Sequence, residues 1–229
     1  MNHEDPVSLY LVLRPSDKER LMPLVRLIIT LIATKLTTRM EFEAGAAVAH
    51  YKHKLLLLLD EFTSLRKLEL LEQQIPFLAG YGIKCYFLIQ DLKQLHRWYT
   101  DNESVTPNCH IRISFAANEI KTAQYLSQAT GDTTVIKVQT SASGERMSAV
   151  LGKVNKNYSE IKRPLLTPDE IMRLPSPVKD HKGMITTPGE MLIFVSGQSV
   201  IRGTQPLYFM DKIFSARAKI SAPTCSDVL

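Results

Sequence analysis

KLLLLLDE, residues 54–61, and IKCYFLIQD, residues 83–91, are the stretches whose reading decides the fold of this chain. Leucine on its own prefers a helix. Here a run of five leucines stands between Lys54 and the acids Asp60 and Glu61, and five residues is strand length, too short for a helix. An unbroken apolar run fits a central strand covered on both faces. Residues 83–89 form a second such run, ended by Gln90 and Asp91. Between the two, residues 64–78 read as a helix that Gly80 and Gly82 close.

Working outward, residues 8–13 (SLYLVL) read as a buried strand ended by Arg14-Pro15. Ser16 and Glu19 have capping-box spacing. The helix they open carries Leu21, Leu24, Val25, Leu27, Ile28, Leu31 and Ile32, a broad apolar face. Pro23 falls in its early turns, where a missing N–H costs least. Residues 36–53 read as a loop. Past the second strand come a helix over Leu92–Tyr99, a polar loop with Pro107-Asn108, and an alternating strand over 110–115. Asn118 is placed to cap a helix over 119–130 that Gly131 closes, and residues 133–138 are a fourth strand. Strands alternating with helices predict an α/β core with a mostly parallel sheet flanked by helices.

The character changes after Gln139. Residues 140–163 are polar and lack periodicity, so they read as a loop. Over 137–182 there are nine Lys/Arg and five Asp/Glu, which is most of the chain's net charge of +5. Thr167-Pro168-Asp169-Glu170 combines a cap, a proline at the first helical position and a capping-box glutamate. Residues 191–195 are a strand followed by the turn Ser196-Gly197-Gln198. A last short strand is expected at 207–210, a short helix at 211–218 and a loose tail from Ser221. The organisation is thus a core over 6–139, a basic loop and C-terminal strands over 140–220, and a tail over 221–229.

The 229 residues suffice for one ordinary domain or two small ones, and 45% hydrophobic with 22% charged residues is a globular composition. Cys85, Cys109 and Cys225 are odd in number and widely spaced. They fit neither a disulfide framework nor a zinc site, and imply a reducing compartment. The longest apolar region, 21–33, is interrupted by Arg26 and is shorter than the roughly 20 residues of a bilayer span. No signal peptide is visible. The expectation is a chain that is soluble, or held at a membrane by something outside it.

The strongest chemical signal is the apolar strand ending in Asp60-Glu61. In nucleotide-hydrolysing α/β proteins the first acid at such a strand end holds magnesium and the second orients the attacking water. Ligands bind at the carboxyl ends of the strands in open α/β sheets. Read alone, the pattern is more often a strand ending in a solvated acidic turn. Gln90 ends the neighbouring strand, where an amide can bond a γ-phosphate or the lytic water. No G-x-x-x-x-G-K-[ST] occurs in the chain, so the lysine loop that cradles the β and γ phosphates is not among these residues. His50-x-x-His53 lacks a third metal ligand and reads as a loop pair. Arg146, Lys153 and Lys156 could touch phosphates or form a solvated loop. Trp98-Tyr99 could stack a base, and reads more readily as packing.

The blocks PVSLYLVLRPSDKERLMPLVRL (from Pro6), LLLLLDEFTSLRKLE (from Leu55), GYGIKCYFLIQDLKQL (from Gly80), NCHIRISF (from Asn108), TAQYLSQATGDTTV (from Thr122), KRPLLTPDEIMRLP (from Lys162) and the closing run from Met191 occur in a specific order over nearly the whole chain. In this the chain resembles the C-terminal half of the TraG-like type IV secretion coupling proteins, the ATPases of bacterial conjugation. The resemblance implies a RecA-like P-loop NTPase core using ATP and Mg2+. It implies a ring, a hexamer in the family, at the cytoplasmic face of the bacterial inner membrane. Such a ring passes single-stranded DNA with its relaxase, or protein effectors, to the secretion channel. Asp60 and Glu61 match the family's Walker B acids, with Asp60 the magnesium ligand, and Gln90 matches the glutamine after the next strand. The membrane helices, the Walker A loop and the helical lid are expected upstream of Met1, so that this chain by itself hydrolyses little or no ATP.

Several positions depart from the family pattern. Thr63 and Arg66 stand where Pro and Gly are usual after the acids, Ala117 replaces a Pro before Asn118, and Val200 and Thr204 replace Pro and Lys near Gly203. Ala79-Gly80-Tyr81-Gly82 holds no arginine where some relatives carry one that reaches a neighbouring nucleotide. Arg112 is a substitute by chemistry alone. Beside the motor half-site stand two other expectations. One is a non-catalytic module that binds nucleic acid or joins a ring. The other is an inactive gene fragment exposing apolar edge and face.

Overall fold

A computed structural model describes residues 5–49, 51–143 and 153–221. The chain divides into two compact units, Met1–His110 and Ile111–Leu229.

In the first unit, the strand expected at 8–13 does not form. These residues have no regular structure, and Val7, Leu9, Tyr10 and Val12 are exposed. A strand exists through its ladder, and none of the described residues pairs with this segment. A 3-10 turn, Pro15–Asp17, leads into α1 (Lys18–Leu36). The Ser16–Glu19 capping box is also absent. The helix starts behind Asp17, and the Glu19 carboxylate pairs with Arg66 instead. Met22, Val25, Ile29, Ala33 and Leu36 bury one stripe of α1, whereas Leu24, Leu27 and Leu31 stay exposed. Residues 41–48, expected as loop, form a hairpin of β1 (Glu41–Glu43) and β2 (Ala46–Val48). Both turn residues, Ala44 and Gly45, take positive φ, the geometry that suits a two-residue hairpin.

β3 (Leu55–Leu59) is joined through a 3-10 turn (Phe62–Leu65), α2 (Glu69–Leu78) and a second 3-10 turn (Ala79–Tyr81) to β4 (Ile83–Phe87). β3 and β4 are parallel and in register, from Leu55 opposite Ile83 to Leu59 opposite Phe87. Only one face of the pair is covered. Leu55, Leu57 and Leu59 join the core, while Leu56 and Leu58 are 62% and 60% exposed. α3 (Leu92–Tyr99) begins where the Asp91 carboxylate accepts from the Gln94 N–H at 2.8 Å. α4 (Val105–Asn108) is one turn inside the expected polar loop. Phe62, Leu71, Leu78, Leu95 and Tyr99 are fully buried at the centre of this unit.

The second unit holds β5 (Ile111–Ser114), α5 (Ile120–Thr130), β6 (Asp132–Ser143), β7 (Lys153–Pro164), α6 (Pro168–Met172), β8 (Val178–Lys179), β9 (Ile185–Thr187), β10 (Glu190–Val195), β11 (Ile201–Thr204) and α7 (Lys212–Ala218). β5 is not the next parallel strand. It pairs antiparallel with β10, which also pairs antiparallel with β11. Leu192 and Phe194 of β10 pack with Ala123 and Leu126 of α5 and with Ile171 and Leu174. Glu119, not Asn118, caps α5, accepting from the Lys121 and Thr122 N–H groups at 3.0 and 2.7 Å. Those bonds to the charged form hold its carboxyl below the usual carboxylate range. The Thr167–Glu170 capping box forms as expected.

Residues 140–163, expected as a loop, belong largely to a long ribbon. β6 and β7 pair antiparallel from Asp132 opposite Pro164 to Ser143 opposite Lys153. Over residues 132–140 and 156–164 both faces of the ribbon are largely exposed, so the sequence there has no buried face to impose a period of two. The expected strand at 207–210 is a turn, closed by Met210 N–H to the Leu207 carbonyl at 2.9 Å; β11 lies earlier. The tail over 222–229 lies outside the described residues.

Gly82, at φ +72°, ends the approach to β4, and a Cβ there would lie 2.8 Å from the Ala49 Cβ. We expect Gly82→Ala to lower stability by about 1–3 kcal/mol through strain and clash. Gly131→Ala, at φ +79° and ψ −170° with open space around it, meets no clash and carries only the cost of a backbone region that is essentially glycine's, about 1–3 kcal/mol. Urea denaturation of the two variants separates the contributions.

Candidate functional site

Because β3 and β4 are parallel, their carboxyl ends lie side by side. The ladder continues past both strands: Leu88 N–H donates to the Leu59 carbonyl at 3.1 Å, and Phe62 N–H donates to the Leu88 carbonyl at 2.9 Å. Asp60 and Glu61 are therefore stitched beside the segment that ends in Gln90. All three line one cleft of about 570 Å³, together with Lys18, Thr63, Gln94, Arg97 and Trp98.

The turn that carries the acids is held in an unusual backbone. Glu61 is left-handed at φ 48°, ψ 50°, and Arg66 closes the turn at φ 59°. Each such non-glycine residue costs about 1–3 kcal/mol and persists only where its surroundings over-determine it. Phe62 supplies much of that constraint. It is fully buried, with its ring centroid 4.6 Å from Phe87 and 5.4 Å from Tyr99. The Glu61 N–H donates to the Asp60 carboxylate at 3.1 Å, and Lys18 Nζ donates to Glu61 Oε2 at 3.1 Å.

On the opposite wall, Gln90 Oε1 accepts from Gln94 Nε2 at 3.0 Å, and Gln94 Oε1 accepts from the Thr63 hydroxyl at 3.1 Å. Thr63 is buried. A short relay thus ties the turn after the acids to the amide of Gln90. Trp98, the single tryptophan, stands with the guanidinium groups of Arg97 and Arg66 5.4 and 5.5 Å from its ring centre, within cation–π range. Tyr99 does no base stacking here. It is buried, its hydroxyl accepts from Leu68 N–H at 3.1 Å and donates to the Arg66 carbonyl at 3.3 Å, and burial pushes its pKa up to about 12.

Lys18, Thr63, Gln94 and Arg97 are the site residues that sequence reasoning missed. Gln94 stood one helical turn beyond Gln90, which is a readable signal. Lys18 is 43 residues from Glu61, and no local pattern links them. Among the described residues no cluster of three or more metal-ligating side chains exists. Two adjacent carboxylates beside cations are a donor set that fits Mg2+ arriving with a polyphosphate, since Mg2+ is commonly held by one or two carboxylates plus phosphate oxygens.

The basic candidates lie elsewhere. Arg146 is outside the described residues, as is His50. Lys153 opens β7, and Lys156 is exposed opposite Thr140 on the ribbon. Two further ribbon cations are already paired, Lys162 with Asp132 at 2.8 Å and Arg163 with Glu170 at 2.6 Å. Arg112 in β5 is committed to the Tyr125 hydroxyl and lies against the rings of Tyr125 and Phe194. Cys85 is a free thiol, which burial pushes up to about 11.

An acid pair and a glutamine at the joined ends of two parallel strands define the class: an α/β protein that gathers polar side chains at the carboxyl ends of its parallel strands, the edge at which ligands bind in open α/β sheets. The match to known proteins is more particular. Residues 2–226 match the family model described as Type IV secretory system Conjugative DNA transfer, and the chain belongs to that family. It is 51% identical to the conjugal transfer protein TraG of Escherichia coli over its whole length, which is 36% of that protein. It is 32% identical to the protein VirD4 of Agrobacterium fabrum over 72% of this chain and 24% of that one. Among solved structures it shares the fold of the bacterial conjugative coupling protein TrwBdeltaN70 in its unbound monoclinic form. There the TM-score is 0.60 at 18% identity, covering 85% of this chain and 39% of the other. The plasmid coupling protein TrwB in complex with ADP and Mg2+ superposes with a TM-score of 0.58 at 16% identity, covering 85% and 38%. The fold is the RecA-like α/β core that the resemblance implies, and the chain spans between about a quarter and two-fifths of the length of the relatives it matches.

The relay yields a test. Thr63→Val keeps the shape of the buried side chain and removes the donor to Gln94. The expected loss is about 0.5–1.5 kcal/mol, that of one hydrogen bond, read from the urea midpoint, with a changed Trp98 emission because Gln94 and Trp98 share the cleft wall.

Proposed function

We propose that this chain carries the acid half of the ATP site of a conjugative coupling protein. In this reading Asp60 is the ligand for Mg2+, Glu61 takes the proton of the attacking water, and Gln90 meets the γ-phosphate or the lytic water. ATP with Mg2+ supplies the phosphoryl group and its charge neutralisation when bound. The chain's own part is to hold two carboxylates and an amide at one sheet edge and to line it with the cations Lys18 and Arg97. The observation that carries the reading is the parallel register of β3 and β4, which sets Asp60, Glu61 and Gln90 around one cleft. TrwB structures with ADP and Mg2+ and with the GTP analogue GDPNP support nucleotide as the ligand class. By the same family reading, the assembled protein is a hexameric ring at the cytoplasmic face of the inner membrane. It hands single-stranded DNA and its relaxase to type IV secretion channel components.

The test has two arms. The isolated chain should turn over ATP at the background rate, because no G-x-x-x-x-G-K-[ST] loop occurs in its 229 residues. Joined to the upstream part of the Escherichia coli TraG relative, it should hydrolyse ATP, and Glu61→Gln should reduce that turnover by about 10²–10⁴-fold, the usual contribution of a general base. Activity of the isolated chain that Glu61→Gln abolishes would overturn the half-site reading.

A second reading, a contact surface for single-stranded DNA or a neighbouring subunit, is favoured by the ribbon. On the face that bears Lys156, Val138 lies opposite Tyr158 and Ile136 opposite Glu160, all exposed, so an aromatic ring lies one cross-strand pair away from a lysine. Such a pairing suits base stacking beside a phosphate contact. Because Lys162 and Arg163 are already neutralised, the salt dependence of DNA binding should be shallow. Lys156→Ala should reduce its slope by about one, measured by fluorescence anisotropy of a labelled oligonucleotide. A slope unchanged by Lys156→Ala would remove the ribbon from the interface.

A further inference from the structure

The two positive-φ residues that bracket the acid-bearing turn, Glu61 and Arg66, are each held from outside by consecutive residues of α1. Lys18 Nζ donates to Glu61 Oε2 at 3.1 Å, and Glu19 pairs with Arg66. Arg26, two turns further along the same helix, donates to the Lys67 carbonyl at 2.7 Å. Phe62 anchors the middle of the turn in the core, so the interior is fixed by packing and both ends are fixed by α1. Lys18 takes one oxygen of Glu61, and Oε1 has no protein partner among the described residues.

We propose that Lys18 and Glu19 are positioning residues for the acid pair: the first turn of α1 is a two-point clamp that holds Glu61 at the cleft by its Oε2. The inference rests on the reading of Glu61 as the water-activating base, and gives that base a second layer of control which neither motif nor sheet register supplies. It also explains how Arg66 is accommodated at φ 59°. Glycine takes that conformation without cost, whereas here an ion pair to Glu19 and the face of Trp98 hold the side chain. Both ion pairs are solvent-accessible, with side-chain exposures of 38% and 58% for Lys18 and Glu61 and 45% and 84% for Arg66 and Glu19. Exposed pairs add little to global stability. The clamp therefore acts on geometry, and its removal should leave the melting temperature nearly unchanged.

Hydrogen–deuterium exchange of the nucleotide-free chain tests the clamp without requiring that nucleotide bind. Lys18→Met and Glu19→Gln should speed exchange across the Phe62–Arg66 amides by about two- to fivefold, the factor a single exposed ion pair commands, with β4 and α2 unaffected. Lys18→Arg should restore protection, and so should the exchanged pair Glu19→Arg with Arg66→Glu. In the chimaera with the TraG upstream part, Lys18→Met should lower kcat by more than it raises KM for ATP, and Lys18→Arg should recover kcat. Unchanged exchange in the turn, or acceleration spread evenly over the unit, overturns the clamp. Altered exchange with no effect of Lys18→Met or Glu61→Gln on turnover retains the clamp and removes the catalytic reading of Glu61.

Discussion

Everything at the candidate site depends on the parallel ladder between β3 and β4. Parallel strands need a crossover, and α2 with its two flanking 3-10 turns supplies it. Once the register Leu55–Ile83 is set, the carboxyl ends must coincide, and the two bonds beyond the strands, Leu88 to Leu59 and Phe62 to Leu88, draw the acids against the Gln90 segment. A register shift of one residue would turn the leucines that fill the core toward solvent. The burial of Leu55, Leu57 and Leu59 therefore protects the site geometry as well as the fold.

A second layer of constraint acts on the turn after the strand. Phe62 is seated between Phe87 and Tyr99. Thr63 reaches Gln94 and through it Gln90, and α1 reaches Glu61 and Arg66. Thr63 and Arg66 stand where the family resemblance leads one to expect Pro and Gly. Both side chains are used: the hydroxyl joins the two strand ends, and the guanidinium joins α1, Trp98 and the end of the turn.

The apolar face that bears Leu56 and Leu58, and the exposed leucines of α1, are consistent with a chain that spans between about a quarter and two-fifths of the length of its relatives. The second unit buries its apolar residues differently. β10 takes β5 and β11 on its two edges, and α5 and Ile171 of α6 pack with Leu192 and Phe194. The ribbon of β6 and β7 is held by its backbone ladder, with largely exposed faces of mixed Thr, Lys, Val and Tyr. A surface of that kind suits contact with a partner better than it suits a core.

The sequence by itself determined the local events. Five leucines bounded by charge make a strand, residues 92–99 make a helix, Thr167-Pro168-Asp169-Glu170 makes a capping box, and Asp60, Glu61 and Gln90 sit at strand ends. Each is decided by a few adjacent residues, and ordered blocks of such residues carried the family resemblance. The tertiary structure decided what depends on distant partners. Residues 8–13 have strand composition but no strand partner among the described residues. Ser16 and Glu19 have capping-box spacing, yet Arg66 claims the glutamate. The ribbon has no apolar period, yet its backbone pairs over twelve residues on each strand. β5 alternates like a sheet member but takes its partner, β10, from far along the chain. Lys18 meets Glu61 only because α1 packs beside the turn. Backbone ladders and ion pairs between remote segments leave no periodic mark on the sequence, since the energy of each contact lies in a partner that local spacing does not specify.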